Sequence, residues 1–256
     1  MEKDRFEIKD QVVIITGAGQ GIGREYALTF AKSGAIPILA EFDGEKAESV
    51  KREIDNFGGT ALALETDVSS QNSVKNMVTK TMETFGKIDV LINNAAMFAV
   101  LPKCGFENIP LDEWHQVMSV NITGSYLCAR EVAPAMRKAK KGKIINISSG
   151  TVPQGMPGMM HYVTSKSAIV GMTRAMAREL GDDNINVNAV MPGYTETEVE
   201  HANMDDEGRQ MVENMRILKR KGTPDDVIGV VMFLASPGSS FITGQSIACC
   251  GGEVML

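Results

Sequence analysis

The alternation of short apolar runs with longer amphipathic segments is the strongest constraint on the fold of this chain. The apolar runs are rich in Val, Ile, Leu and Ala without a polar alternation, which is typical of parallel strands buried on both faces. There are seven such runs: Gln11–Thr16, Ala35–Glu41, Thr60–Thr66, Ile88–Ile92, Lys143–Ser148, Ile185–Met191 and Gln245–Cys249. Amphipathic segments lie between them: Gly21–Ser33, Asp43–Phe57, Ser70–Phe85, Leu111–Ala139, His161–Leu180 and Pro224–Ala235. This order predicts one α/β domain with a doubly wound parallel sheet and helices on both faces.

Composition narrows the class of protein further. The formal net charge of −6 argues against a nucleic-acid partner, which would require a basic face. The four cysteines form no CxxC pair and have no histidine at ligand spacing, so we expect reduced thiols and no metal site. The first residues lack the apolar stretch of a signal peptide, and no apolar run approaches the roughly 20 residues of a membrane span. We therefore expect a cytoplasmic protein without a membrane partner.

A glycine-rich turn follows the first predicted strand. Gly17, Gly21 and Gly23 fit the pattern G-x-x-x-G-x-G, and a predicted helix begins within it. Glycines allow a tight turn, and the free N–H groups of a helix N-terminus can bind a pyrophosphate. The alternative interpretation is a purely structural turn between strand and helix.

An acidic residue ends the second predicted strand, where a dinucleotide-binding domain reads the adenosine ribose. Glu41 lies twenty positions after Gly21 and can accept hydrogen bonds from the ribose hydroxyls. The same carboxylate would repel a 2′-phosphate, and neither Gln20 nor Phe42 is basic. The sequence therefore favours NAD over NADP. The alternative is a solvated acid ahead of a helix whose N-cap is Asp43.

A tyrosine and a lysine stand four positions apart in the fifth predicted helix. Tyr162 and Lys166 would share one face of that helix. Because a free tyrosine has a pKa near 10, it is a poor base at neutral pH, and a nearby ammonium favours the phenolate. Such pairs also occur by chance, with a solvated lysine beside a packed tyrosine.

Seven short stretches in matching order give the chain a resemblance to the short-chain dehydrogenase/reductase family over nearly its full length. They are Thr16–Gly23, Asp67 in Thr66-Asp67-Val68, Asn93-Asn94-Ala95-Ala96, Asn121 in Val120-Asn121, Ile147-Ser148-Ser149, Tyr162 with Lys166, and Pro192-Gly193. The resemblance implies a single Rossmann-type domain over residues 1–256 and hydride transfer between NAD and a secondary alcohol or its ketone.

The resemblance also implies roles for individual residues. Tyr162 would be the general base or acid, and Ser149, thirteen positions earlier, would hold the substrate oxygen, with Ser148 the weaker candidate. Lys166 would bind the nicotinamide ribose and tune Tyr162, and Asn121 would hold a water that links Lys166 to solvent. The implied cofactor-binding residues are Gly17, Gln20, Gly21, Ile22, Glu41, Asp67, Val68, Asn94, Ala95, Tyr162, Lys166, Pro192, Thr195 and Thr197.

The chain departs from the family pattern at Ala96, where the family has glycine, and the extra methyl group could crowd the cofactor. The candidate substrate residues are Ser149, Gln154, Met159 and Tyr194, together with an acid-rich lid at about 194–218. We interpret the acids of the lid as a solvated surface. His161, beside Tyr162, points to another helix face and is expected to pack or to contact a subunit.

Two other functions remain open from the sequence. One is reduction of a 3-oxoacyl group on acyl carrier protein, although Leu127 replaces a usual basic residue while Arg178 is retained. The other is a non-catalytic dinucleotide-binding protein. From the family we also expect a homotetramer and, because cytosolic NAD is mostly oxidised, alcohol oxidation. The sequence does not name the alcohol.

Overall fold

The protein folds around one parallel β-sheet. The computed structural model describes residues 5–202 and 204–255. Within them seven parallel strands are ordered β3-β2-β1-β4-β5-β6-β7. The strands are β1 (Val12–Thr16), β2 (Ile36–Glu41), β3 (Leu62–Glu65), β4 (Val90–Asn93), β5 (Gly142–Ile147), β6 (Ile185–Pro192) and β7 (Ser246–Cys249). The predicted fold class is confirmed, and every predicted strand is present with ends shifted by at most two residues.

The helices cover both faces of the sheet. They are α1 (Gly21–Lys32), α2 (Gly44–Asn56), α3 (Gln71–Phe85), α4 (Leu111–Met118), α5 (Ser125–Ala139), α6 (Thr151–Gln154), α7 (Met160–Leu180), α8 (Asp206–Met215) and α9 (Pro224–Ala235). The apolar faces of α1, α2 and α9 bury one side of the central strands. Those of α3, α5 and α7 bury the other side. Since both faces are covered, the strands can be apolar throughout, as the sequence pattern predicted.

The strand order places a crevice at the centre of one sheet edge. β1 pairs with β2 on one side and with β4 on the other. The connections after β1 and after β4 therefore diverge to opposite sides at the carboxyl ends of these strands. In open α/β sheets this reversal point is where ligands bind.

One helical prediction was wrong in part, and the lid contains a helix that was not predicted. The predicted helix Leu111–Ala139 is interrupted by a π-helical segment, Ser119–Gly124, between α4 and α5. The acid-rich stretch predicted as a solvated lid contains α8. The Asp205 carboxylate caps α8 by accepting from the N–H of Gly208 at 2.8 Å, and two acids follow in the first turn. These acids stabilise a helix N-terminus, which the sequence analysis did not consider.

The cysteines and charged clusters offer no competing site within the described part of the chain. The four cysteines are free thiols. No group of three or more His, Cys, Asp or Glu residues at 5–202 and 204–255 is arranged to hold a metal ion. Across these same ranges, no helix combines the length and apolar character needed to cross a bilayer.

Candidate active site

A cleft of about 1470 Å³ opens at the carboxyl edge of the sheet, at the predicted reversal point. Its walls come from the glycine turn after β1, the ends of β2 to β6, the first turns of α7 and the lid. This volume exceeds the 300–1,000 Å³ typical of small-ligand sites. The cleft is therefore large enough for an extended ligand such as a dinucleotide together with a second molecule.

The glycine turn forms one end of the cleft. Gly17 has φ +66°, and a Cβ atom on Gly23 would lie 2.0 Å from the carbonyl oxygen of Gly17. The side-chain amide of Asn94 supports the turn by donating to the carbonyls of Thr16 at 2.9 Å and Gly17 at 3.2 Å. The turn therefore requires glycine at both positions. Gln20, Gly21 and Ile22 line the cleft beside it, as predicted for a dinucleotide.

Glu41 is held in the cleft by backbone donors. Oε2 accepts from the N–H of Gly19 at 2.9 Å, and Oε1 accepts from the N–H of Asp43 at 3.3 Å. The carboxylate is thus fixed beside the glycine turn. Asp43 is also the N-cap of α2, as the alternative interpretation expected. The helix cap at Asp43 and the fixed carboxylate of Glu41 thus occur side by side.

Sequence reasoning missed one basic residue at this end of the cleft. The ammonium of Lys46, in the first turn of α2, donates to Oε1 of Gln20 at 2.6 Å. Positions 20 and 42 carry no basic residue, but Lys46 on helix α2 lies four positions after Phe42. The Lys46 side chain adjoins that of Glu41 at Gly19, where an added Cβ atom would lie 2.8 Å from Cβ of Lys46 and 2.7 Å from Cγ of Glu41. A search at helical spacing after Phe42 would have found this lysine.

The remaining predicted adenosine-side residues also line the cleft. Oδ1 of Asp67 accepts from the N–H and hydroxyl of Ser69, at 2.9 and 2.6 Å. Val68 is 7% exposed and packs against Gly124, where an added Cβ atom would lie 2.8 Å from Cγ2 of Val68. The N–H of Ala95 donates to Oγ1 of Thr16 at 3.0 Å.

Ala96 is accommodated without backbone strain. Outside glycine, positive φ angles in the described residues occur at Asp10, Lys140 and Asn184, so position 96 does not need the conformational freedom of glycine. Ala96 is exposed on the cleft wall. Its methyl group narrows the cleft but disturbs no neighbouring turn.

Tyr162 lies at the base of the cleft, in the first turn of α7. It is 7% exposed, and its ring packs on Phe98 with the ring centroids 4.6 Å apart. Burial raises the pKa of Tyr162 to about 12, while a hydrogen bond with the Ser149 side chain opposes that shift. The phenol is therefore protonated at neutral pH and in contact with Ser149.

Lys166 lies one turn along α7 and is 3% exposed. Its ammonium lies 5.8 Å from the centroid of the Tyr162 ring and donates to the carbonyl of Ile147 at 2.7 Å. Burial lowers the pKa of Lys166 to about 8. The sequence predicted that the lysine lowers the tyrosine pKa. In this geometry desolvation dominates at both residues, and the tyrosine pKa is raised.

The two adjacent serines after β5 have different environments. The Ser148 hydroxyl donates to the carbonyl of Lys166 at 2.8 Å and so fixes α7 against the sheet. The Ser149 hydroxyl accepts from the Thr151 hydroxyl at 2.9 Å and faces Tyr162. The geometry thus brings Ser149 to the tyrosine and gives Ser148 a structural contact, in agreement with the order in which the sequence ranked them.

Asn121 lies in the π-helical segment and is 1% exposed. Its Oδ1 accepts from the N–H of Met97 at 2.8 Å, and its Nδ2 donates to the Met97 carbonyl at 3.3 Å and to Oγ of Ser165 at 3.0 Å. Both amide protons of Asn121 are therefore used within the protein, and the water that it is expected to hold stays a prediction. Asn121 joins the loop after β4 to α7 behind Tyr162.

The predicted substrate residues do not all reach the cleft. Tyr194 and Gln154 line it, and the Gln154 amide donates to Glu253 near the C-terminus. Met159 does not line it: this side chain is fully buried and packs with Leu101 and Val117 beside Tyr162. The assignment of Met159 to substrate contact is wrong because helix α7 turns that side chain into the protein.

The lid contributes cleft residues that the sequence analysis did not single out. Met204, Met211, Val212 and Met215 face the cleft from the lid helix and the residue before its N-cap. The ring of His201 packs edge-on against Phe98, at 5.3 Å between centroids, and against Tyr194, at 5.5 Å. The spacing of Met211 and Met215 by four positions was the available signal.

Pro192, Thr195 and Thr197, which the family resemblance predicts beside the nicotinamide, line the cleft. The Thr195 hydroxyl donates to the carbonyl of Gly193 at 3.1 Å. Oγ1 of Thr197 accepts from the N–H of Val199 at 3.3 Å. These local bonds give the start of the lid a defined path across the cleft.

His161, next to Tyr162, is fully buried, and its Nε2 lies 3.3 Å from Oε1 of Glu113 on α4. The residue joins α7 to α4 and faces away from the cleft, as the helix geometry predicted for a packing residue.

Comparison with known proteins places this geometry in a family. A family model described as enoyl-(acyl carrier protein) reductase matches residues 17–253. A 3-oxoacyl-[acyl-carrier-protein] reductase, FabG, of Thermotoga maritima is 36% identical over 252 residues, which cover 98% of this chain and 100% of that protein. The chain belongs to the short-chain dehydrogenase/reductase family. Members of this family bind a nicotinamide dinucleotide, and the protein is therefore an oxidoreductase that acts on CH–OH groups.

Other relatives of this short-chain dehydrogenase/reductase are named for different activities. The BbsD subunit of (2S)-[(R)-hydroxy(phenyl)methyl]succinyl-CoA dehydrogenase of Thauera aromatica is 35% identical, with coverage of 96% of this chain and 97% of that one. The structure of a 7α-hydroxysteroid dehydrogenase complexed with NADH and 7-oxo glycochenodeoxycholic acid superposes with TM-score 0.93 at 32% identity, covering 100% and 99% of the two chains. Relatives thus differ in substrate at a similar level of identity.

Proposed function

We propose that this protein is an NAD-dependent oxidoreductase that interconverts a secondary alcohol and its ketone. The observation that carries the proposal is the meeting of Tyr162, Ser149 and Lys166 at the base of a cleft whose far end holds the fixed carboxylate of Glu41. A proton-transferring group and a cofactor-reading group thus stand at opposite ends of one cavity.

Tyr162 is the proton-transferring group in this proposal. Because its pKa is raised to about 12, the phenol holds its proton at neutral pH and can donate it to a carbonyl oxygen. The Ser149 hydroxyl lies beside it and can hold the same oxygen in position. In the alcohol-to-ketone direction the phenol must first lose its proton to solvent, which the nearby Lys166 ammonium and a bound cationic nicotinamide favour. The phenolate then takes the hydroxyl proton as the hydride leaves the carbinol carbon for the nicotinamide. Bound nicotinamide supplies the hydride chemistry, and the protein supplies orientation and electrostatics.

The residues of the cleft fit a dinucleotide. The glycine turn brings backbone close to the cavity, and the close approach of Gly23 to Gly17 would not allow a side chain there. Glu41 and Asp67 offer acceptors to the ribose hydroxyls and the adenine amino group. NAD is favoured over NADP because the Glu41 carboxylate would stand against a 2′-phosphate. Lys166 is placed to bind the nicotinamide ribose.

The substrate end of the cleft favours a molecule with a bulky apolar body. Its walls include Met97, Phe98, Met156 and the methionines of the lid. Methionine side chains are flexible and adapt to irregular apolar shapes. These features support a secondary alcohol larger than the simplest ones.

A second candidate function is reduction of a 3-oxoacyl group on acyl carrier protein. The FabG relatives favour it. The missing basic residue at position 127 counts less than the sequence indicated, because Leu127 is 5% exposed and packs in the core. Arg130, on the same helix and less buried, and Arg178 provide basic groups on the α5 and α7 side.

Steady-state assays distinguish these functions. The purified protein is assayed with NAD and NADP against secondary alcohols of increasing apolar size, and with NADH and NADPH against a 3-oxoacyl thioester. We expect higher kcat/KM with NAD and a bulky secondary alcohol. A clear preference for NADPH with the thioester would replace the first proposal by the second. Tight NAD binding without turnover of any substrate would favour a non-catalytic dinucleotide-binding protein.

The homotetramer is also a proposal. It is supported by family resemblance and by exposed apolar side chains such as Tyr126 on α5 and Phe241 before β7. Light scattering of the purified protein measures the mass of the assembly directly.

A further inference from the structure

The N-terminus of α1 has no cap from its own segment. Gln20, the N-cap residue, makes no side-chain capping hydrogen bond, and the first turn of α1 contains no acid. Helix N-termini carry partial positive charge and unpaired N–H groups, which favour an anion. The sequence of α1 therefore leaves this helix end available to an anion from elsewhere.

A carboxylate of the lid fills that position. Oε1 of Glu198 accepts a hydrogen bond from the N–H of Gly21 at 2.8 Å, across 177 positions of sequence. The neighbouring side chains of Thr197 and Val199 also approach this glycine, since a Cβ atom there would lie 3.7 Å from Oγ1 of Thr197 and 3.3 Å from Cγ2 of Val199. The start of the lid is thus seated on the N-terminus of α1.

The same helix end is the pyrophosphate site of the proposed function. A pyrophosphate at a glycine turn binds through free N–H groups at the helix start. The Glu198 carboxylate resembles it in charge and in hydrogen-bond acceptors. The two anions cannot accept from the N–H of Gly21 at the same position, and their like charges would repel each other at close range.

We propose that Glu198 sets the affinity for the dinucleotide by competing with its pyrophosphate for the N-terminus of α1. This inference rests on the cofactor part of the proposed function. Cofactor binding displaces the Glu198 carboxylate and so releases the start of the lid from α1. Because the pyrophosphate is common to NAD and NADP, Glu198 weakens both equally, whereas Glu41 acts on the choice between them.

The test measures binding rather than turnover. Dissociation constants of NAD, NADP, ADP and adenosine are determined by calorimetry for the wild type, Glu198→Ala and Glu198→Gln. Glu200→Gln is the matched control, because it removes the same charge two positions later, at an exposed residue of the same segment. Glu198→Gln keeps the length of the side chain if the alanine variant does not fold.

We expect Glu198→Ala to bind NAD, NADP and ADP about three- to tenfold more tightly, with a smaller gain in Glu198→Gln. Adenosine, which has no phosphate, should bind both variants and the wild type equally, and Glu200→Gln should change each constant less than twofold. Saturating ADP should raise the melting temperature of Glu198→Ala by more than that of the wild type.

Four results would overturn the inference. NAD affinity that is unchanged or weaker in Glu198→Ala would show that the carboxylate does not compete. An equal gain in adenosine affinity would show that the effect of Glu198 does not depend on the pyrophosphate. An equal gain in nucleotide affinity in Glu200→Gln would show that the effect comes from the overall negative charge of the lid. Failure of every nucleotide to bind any variant would overturn the proposed cofactor together with this inference.

Discussion

The backbone N–H of Gly19 donates to Oε2 of Glu41 at 2.9 Å and so joins the glycine turn after β1 to the end of β2. A Cβ atom on Gly19 would lie 2.7 Å from Cγ of Glu41, so this approach requires glycine. The contact fixes the Glu41 carboxylate in one orientation beside the adenosine end of the cleft. Glu41 is therefore positioned before any ligand binds, which reduces the ordering cost of recognition.

We predict that Glu41→Ala weakens NAD binding and improves NADP binding. The substitution removes the ribose acceptor and the charge that opposes a 2′-phosphate, and Lys46 remains nearby to pair with that phosphate. We expect the ratio of the two dissociation constants to shift by about tenfold or more. The double variant Glu41→Ala/Lys46→Ala is the control and should lose the gain for NADP. An unchanged ratio in Glu41→Ala would contradict the proposed role of Glu41.

We predict that Tyr162→Phe abolishes most turnover and leaves cofactor binding intact. The phenylalanine keeps the ring that packs on Phe98 but removes the proton that is transferred. The general acid–base contribution predicts a loss of roughly 10²- to 10⁴-fold in kcat. The dissociation constant of NAD, measured by calorimetry, should change less than twofold. A loss in kcat smaller than tenfold would rule out Tyr162 as the proton-transferring group.

We predict opposite effects for the two serines after β5. Ser148→Ala removes a buried hydrogen bond to the Lys166 carbonyl and should lower the free energy of unfolding by about 1–3 kcal/mol. Ser149→Ala should instead lower kcat/KM, because it removes the group that faces Tyr162. Denaturant unfolding and steady-state kinetics on both variants provide the comparison. If Ser148→Ala carried the larger loss of kcat/KM, the assignment of Ser149 would be reversed.

We predict that the buried ammonium of Lys166 makes stability rise with pH. Its pKa is about 8 in the folded protein and 10.5 in the reference state, so the folded protein loses this proton first. Below pH 8 both states are protonated and the folded state carries the desolvation cost. Between pH 8 and 10.5 the unfolded state holds more protons, and the free energy of unfolding increases with pH.

The control for this prediction is Lys166→Met, which has a similar side-chain length and no charge. From pH 8 to 10 the wild type should gain roughly 2–3 kcal/mol relative to this variant in denaturant unfolding. Lys143, whose pKa burial also lowers to about 8, contributes equally to both proteins and cancels in the difference. A difference that is constant over this range would contradict a lowered pKa for Lys166.

The lid illustrates what a sequence pattern can hide. The acids at 205–207 are exposed, as expected for a solvated surface, and they also cap and begin helix α8, which their pattern alone did not indicate. The methionines of the lid were not singled out from the sequence, and the structure brings three of them, Met204, Met211 and Met215, to the cleft wall. Met159 has the same chemistry but is buried, because its position at the start of α7 turns it into the protein. Residue type alone does not distinguish these cases.

The layers, the number of strands and the order of the chemical groups could be predicted from the amino-acid sequence. Buried parallel strands and amphipathic helices have different hydrophobic periods, and glycine at 17, 21 and 23 meets a local conformational requirement. Local physics fixes such features, so they can be predicted without knowing which residues are neighbours in space.

Only the tertiary structure decided which groups meet. Three contacts join residues from separate elements. They are the hydrogen bonds of Glu198 with Gly21, of Lys46 with Gln20 and of Asn121 with Met97. The raised pKa of Tyr162 likewise depends on burial by the surrounding elements. Contact distances and desolvation depend on how the helices pack on the sheet, and no spacing along the sequence encodes them directly.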